Sequence, residues 1–201
     1  MNVAAVVGLG DHPALDFVNT LVSSADGPLE LIVDGPGYLR WLAAAGLVAD
    51  AEPAELAARF PPARLDAIAH AAVELREWLR PLIARWVRGD AAVPEGHALT
   101  RLNVLLAADS RFGELVRDGV GLRVVDRQRW ASADELLVPP ARAAADLFAH
   151  GDRALVRPCA GPTCTLWFYD RTRGRQRRWC SMALCGNRAK ARAHRARAAG
   201  G

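Results

Sequence analysis

The chain has 201 residues, 51% of them apolar, which is enough for one ordinary core and a small appendage. No apolar run approaches the roughly 20 residues needed to cross a bilayer, and Met1 to Gly10 lacks a secretory signal's basic flank and cleavage site; no membrane partner is expected, and the protein should be cytoplasmic. Residues 1–150 carry 14 Arg against 20 Asp and Glu, a net −6, whereas residues 151–201 carry 12 Arg and Lys against 2 Asp, a net +10, so the formal +4 hides an acidic body joined to a basic tail that suits nucleic acid or another acidic surface.

Apolar residues at Leu15, Val18 and Leu21 or Val22 recur at helical spacing behind Pro13, with Asp11 as a start signal, and predict a first helix. Asp34 and two glycines lead into a second helix around Tyr38 to Leu42, ended by Gly46. The strongest pattern runs from Pro62 to Arg88. There Leu65, Ile68, Ala72, Leu75, Leu79, Leu82, Ile83 and Trp86 fall three or four apart, which predicts a long amphipathic helix that Pro81 should kink or interrupt. Another helix is expected from Glu95 to about Ala108. Leu115 to Val125 reads as a hairpin turning at Asp118-Gly119, and Pro139 and Pro140 can open a last body helix that ends at Gly151.

Four cysteines, Cys159, Cys164, Cys180 and Cys185, are spaced C-x4-C-x15-C-x4-C. In a reducing compartment thiols stay free, and zinc favours four thiolates in a closed tetrahedron, so the spacing predicts one structural Zn2+ per chain rather than disulfides. Between the pairs, Thr165 to Tyr169 is β-prone, Asp170 to Gly174 turn-prone, and Gln176 to Trp179 returns to Cys180, which predicts a hairpin there. Ser181 can cap a helix running on to Arg197. The expected fold is mostly α with a small β-hairpin (α+β): a helical domain over residues 1–150, then a C-terminal treble-clef zinc finger over 151–201.

Trp179-Cys180-Ser181, followed by Cys185-Gly186-Asn187-Arg188 and Lys190, resembles the CGNR zinc finger family, and Leu15-Asp16-Phe17-Val18-Asn19-Thr20 resembles the start of the ABATE domain that precedes this finger in bacterial proteins. The resemblance covers nearly the whole chain and implies a stress-induced, DNA-binding transcriptional regulator. Charge alone implies only a polyanion.

Arg171, Arg173, Arg175, Arg177 and Arg178 crowd the turn between the cysteine pairs. Arg188, Lys190, Arg192 and Arg195 crowd the last helix, where Arg188, Arg192 and Arg195 share one face suited to phosphates or a major groove. These nine are the candidate nucleic-acid contacts, with structured RNA as the alternative to DNA. Gly186 can let the backbone approach a sulfur, and Trp167 and Trp179 read as a small core beside the metal. Asp16 and Asn19, one helical turn apart, could line a small-molecule effector pocket; equally, they could cap a turn or fix the helix to its neighbour. The body would then sense a signal or form a homodimer. Four cysteine ligands leave no open coordination position, and no nucleophile motif stands elsewhere, so no enzyme activity is expected.

Overall fold

The computed structural model describes residues 6–24, 27–90 and 93–199. Seven α-helices and three two-stranded antiparallel sheets occur among them.

The first helix is shorter than its periodicity suggests. α1 spans Pro13–Val18, and its N-cap is His12, whose Nδ1 accepts the Ala14 N–H at 3.2 Å. It stops because its last carbonyls are claimed from outside: the Thr20 hydroxyl donates to Phe17 O and the Arg80 guanidinium to Val18 O. The chain turns instead into β1, Leu21–Ser24, which pairs with β2, Gly27–Glu30, in the register Val22 opposite Leu29.

α2, Gly35–Ala44, begins at Asp34, whose carboxylate accepts the Gly37 N–H, and ends where Gly46 takes a φ of +67°. α3, Glu52–Arg59, is a short helix with only Leu56 buried. α4, Pro62–Arg88, runs unbroken through Pro81 and buries Leu65, Ile68, Ala72, Leu75, Leu79, Ile83 and Trp86. Pro81 is tolerated on the exposed face, where water can take the carbonyl that its missing N–H leaves free. α5, Gly96–Leu106, and α6, Val138–His150, complete the helices of the body.

The hairpin is longer than expected: β3, Arg111–Asp118, pairs with β4, Gly121–Gln128, and the turn is Gly119-Val120, with Gly119 at φ +59°. Most of its residues are exposed.

Trp41, Tyr38, Phe17, Leu15, Leu39 and Leu42 meet the apolar face of α4 and α6 in the main core. Each such side chain contributes about 1.5–3 kcal/mol on burial. Arg76 lies on that same face of α4 and is buried. It is neutralised by a bidentate pair with Glu30 at 2.7 Å and a further bond to Thr20 Oγ1 at 3.0 Å, which fastens β2 to the helix.

The C-terminal segment is not a separate bead. β5, Val156–Pro158, pairs with β6, Trp167–Tyr169, and Val156, Trp167 and Tyr169 pack on the main core. A second cluster mixes Val6, Val22 and Leu31 from the body with Leu166, Phe168 and three cysteines. The fold is therefore the expected helical body followed by a cysteine-clustered module, with a continuous apolar interior between them. No helix among the described residues is long and apolar enough to cross a membrane.

Candidate metal centre and nucleic-acid interface

Cys159 and Cys164 flank the turn that joins β5 to β6. This differs from the expected hairpin, in which Thr165 to Tyr169 would pair with Gln176 to Trp179. The latter segment forms no ladder because its amides are spent elsewhere. Arg177 N–H donates to the Asp170 carboxylate at 2.9 Å, and Cys180 N–H to Cys159 Sγ at 3.2 Å. Cys180 precedes a single π-helical turn, Met182–Gly186, which carries Cys185 and opens into α7, Asn187–Ala199. Ser181 caps that turn, its hydroxyl accepting the N–H groups of Ala183 and Leu184.

The four Sγ atoms lie within 4.8 Å of one another, with Cys164 to Cys180 at 3.9 Å and Cys180 to Cys185 at 3.6 Å. A regular tetrahedron with Zn–S bonds of about 2.3 Å has edges of about 3.8 Å, so the sulfurs already stand at zinc spacing. Their surroundings are those of thiolates. Gly161 N–H points at Cys159 Sγ at 3.4 Å, and the Arg188 guanidinium donates to Cys185 Sγ at 3.2 Å. Hydrogen bonding from Cys180 lowers the Cys164 thiol, whereas the bond to Cys164 and burial push Cys180 up. The glycine that lets the backbone approach sulfur is Gly161, not Gly186. A Cβ at Gly161 would sit 3.2 Å from Cys185 Sγ and 3.0 Å from Cys164 Cβ, while one at Gly186 would meet the Met182 side chain.

The arginines divide into two groups. Arg177 is an internal clamp: it pairs with Asp11, donates to Leu9 O, Cys180 O and Trp179 O, and stacks 4.3 Å from the Phe168 ring. Arg188 bonds Leu184 O as well as Cys185 Sγ, which makes it a support for the metal site. Arg171 donates to Asp11 O and stacks on Tyr169, and Arg178 stacks on Trp179. Arg173, Arg175, Lys190, Arg192 and Arg195 are exposed and have no acidic partner among the described residues. Of the two acidic residues in this segment, Asp170 is buried, accepting from Thr172 and Arg177, so it does not offset the surface charge. Arg188, Arg192 and Arg195 line one side of a cavity of about 280 Å³ whose other side is the Gly161 to Cys164 knuckle.

Asp16 and Asn19 are both buried and serve structure. The Asn19 amide donates to Trp167 O and accepts Trp167 N–H, both at 2.8 Å, binding α1 to β6 as an added strand would. Asp16 accepts the N–H groups of Gly8 and Gly10, and Gly10 O in turn accepts Tyr169 N–H. Neither residue lines the 280 Å³ cavity or the cleft in the body described below.

Burial raises the Asp16 carboxyl from 3.8 to about 6, against the pull of the Gly10 and Gly8 hydrogen bonds. A raised folded-state pKa stabilises below the unfolded value, and that stability is lost as pH rises through the folded value. This carboxyl should thus withdraw up to about 3 kcal/mol in total, about half of it between about pH 5 and about pH 7. Asp16→Asn removes the charge, so its stability relative to the parent should rise over that window. Urea unfolding of both proteins across it checks the sign; a difference that is flat or falls with pH would contradict the assignment.

Sequence comparison matches residues 156–198 to the CGNR zinc finger and residues 11–151 to ABATE, described as "Putative stress-induced transcription regulator". No curated protein sequence matches the chain. Four thiolate ligands at zinc spacing, inside a matched zinc-finger segment, hold one structural zinc ion. The chain belongs to the ABATE family and carries a C-terminal CGNR zinc finger.

Proposed function

We propose that the protein is a zinc-dependent, DNA-binding transcriptional regulator of the bacterial cytoplasm, in which the finger grips DNA and the helical body carries regulation rather than catalysis. The observation that carries this reading is the exposed pair Arg192 and Arg195, without acidic partners among the described residues, on the face of α7 beside the zinc knuckle. Burying or pairing those charges within the chain would have lowered their self-repulsion; leaving them out in water costs compactness and suits a polyanion partner. The order of knuckle, strand, turn and helix supports a treble-clef finger. In the body, a cleft of about 1030 Å³ between α3, the β3–β4 hairpin and α6, lined by Glu52, Arg59, Phe112, Arg127 and Arg142 among others, is where a small effector would enter.

Arg192 and Arg195 should contact phosphates. Each phosphate neutralised contributes about 0.9 to the slope of log affinity against log salt, so a finger using six contacts should show a slope near roughly −5. Arg192→Ala should reduce that slope by about one unit and weaken all sequences alike. Arg188→Ala should act differently: it removes the guanidinium from Cys185 Sγ, so zinc should be lost more readily. Fluorescence anisotropy with duplex DNA and duplex RNA at matched salt, together with metal retention against a chelator, separates the cases. Preference for RNA would favour the alternative partner, and no binding to either would end the reading.

A further inference from the structure

The β3–β4 hairpin carries five of the nine large apolar side chains exposed among the described residues: Phe112, Leu115, Val120, Leu122 and Val124. A lone two-stranded ribbon is marginal in water and needs another layer to cover an apolar face. Here the strands make their principal contacts with each other.

The register sorts the residues into two faces of opposite character. Cross-strand partners share a face. One face holds Phe112 opposite Arg127, Glu114 opposite Val125 and Val116 opposite Arg123. Its charges are satisfied within the chain, Arg127 with Glu114 at 2.7 Å and Arg123 with Asp118 at 3.4 Å, and Arg129 stacks on Phe112. The other face holds, from the base, Arg111 opposite Gln128, Gly113 opposite Asp126, Leu115 opposite Val124 and Arg117 opposite Leu122; Arg111 is already paired with Asp109 at 3.1 Å. There Leu115, Leu122 and Val124 are 64%, 63% and 66% exposed. Neither Arg117 nor Asp126 has an ion pair among the described residues.

We infer that this second face is the interface of a homodimer, two copies packing hairpin on hairpin about a two-fold axis through the Leu115 and Val124 layer. Along the face the order is Asp126 near the base, the apolar layer in the middle and Arg117 near the tip. A two-fold axis that runs the hairpins antiparallel sets Arg117 of each copy against Asp126 of the other and Leu115 and Val124 against their own counterparts. One patch then satisfies itself twice, as an isologous contact requires. A foreign partner would impose no such symmetry on the order of charges.

The test is analytical ultracentrifugation of the zinc-loaded full chain over a range of concentrations. The parent should be a dimer and Val124→Glu a monomer. Arg117→Asp or Asp126→Arg alone brings like charges face to face and should weaken the dimer by roughly 100-fold, whereas the double exchange R117D/D126R should restore it to within about tenfold of the parent. These sites are exposed, so the far-ultraviolet circular dichroism spectrum of each variant at room temperature should keep the parent's helical content and exclude misfolding, while the melting temperature of the dissociated variants falls because association no longer stabilises the fold. A parent that stays monomeric, or a dimer indifferent to Val124→Glu, or charge variants that the double exchange does not rescue, would overturn the proposal.

Discussion

Stripping the zinc, or replacing one ligand as in Cys180→Ser, is expected to unfold the C-terminal module and to lower the stability of the entire chain. A structural zinc site is worth on the order of 10–16 kcal/mol in finger peptides, far more than Leu166 and Phe168 could supply. A helical domain over residues 1–150 that stood on its own would be spared by chelation. The structure argues otherwise, because Val6, Val22 and Leu31 lie in the same apolar cluster as Cys159, Cys180 and Cys185. When the finger opens, those side chains meet water and the edge of the main core at Val156 and Trp167 opens with them. Metal analysis should find one zinc per chain. Circular dichroism melts with and without chelator should show the main helical transition moving to lower temperature. A helical transition that ignores the chelator would mean that the two parts fold independently.

The second large effect is expected at Asn19. Asn19→Ala removes both hydrogen bonds to Trp167 and leaves a backbone N–H and C=O without partners in a half-buried place. Each unmet group costs about 1–3 kcal/mol, so the loss should be roughly 2–4 kcal/mol, a large part of the stability of a small protein. Asn19→Asp should be no better, since it discards the donor to Trp167 O and buries a charge. Asn19→Leu, branched like asparagine but with no donor or acceptor, should not rescue it, because the role is hydrogen bonding and not packing. Urea midpoints report the stability, and protease cleavage near Asp152 reports whether β5 and β6 have come away from α1. Cleavage there no faster than in the parent would contradict the clamp. By the same logic a chain truncated before Arg153 should be far less stable than a self-sufficient helical domain.

Much of this architecture could be read from local patterns. The long α4 followed from apolar spacing, α2 from Asp34 and Gly46, and the metal centre from C-x4-C pairs, because each of these depends on neighbours in sequence. What stayed hidden depends on distant partners. The early end of α1 is set by Arg80 and Thr20, and the failure of Gln176 to Trp179 to form a strand is set by Asp170 and a thiolate. One signal was available and pointed inward: Arg76 falls in the apolar stripe of α4, between Ala72 and Leu79, where a charge requires a buried partner. Among the candidate contacts, Arg177 and Arg188 look like their neighbours in the sequence. Only the position of Asp11 and of Cys185 Sγ sets them apart as internal supports. Asn19 in sequence fits an effector pocket, a turn cap or a tie between helix and neighbour alike, and only the placement of Trp167 beside it selects the tie.

The interlock of the two ends of the chain bears on how the protein is made. Leu9, Gly10 and Asp11 bond to Arg177, Tyr169 and Arg171, residues translated more than 150 positions later. Until residues 159–185 have been made, the first helix and its hairpin therefore wait with Val22 and Leu31 uncovered. Contacts of such long sequence separation slow folding, since the loop must close before any of them is rewarded. Zinc capture comes late in this order, because Cys180 and Cys185 follow every residue of the helical body in the chain. A cell short of zinc would consequently accumulate chains with an unfinished N-terminus as well as an empty finger, and proteases would clear both together.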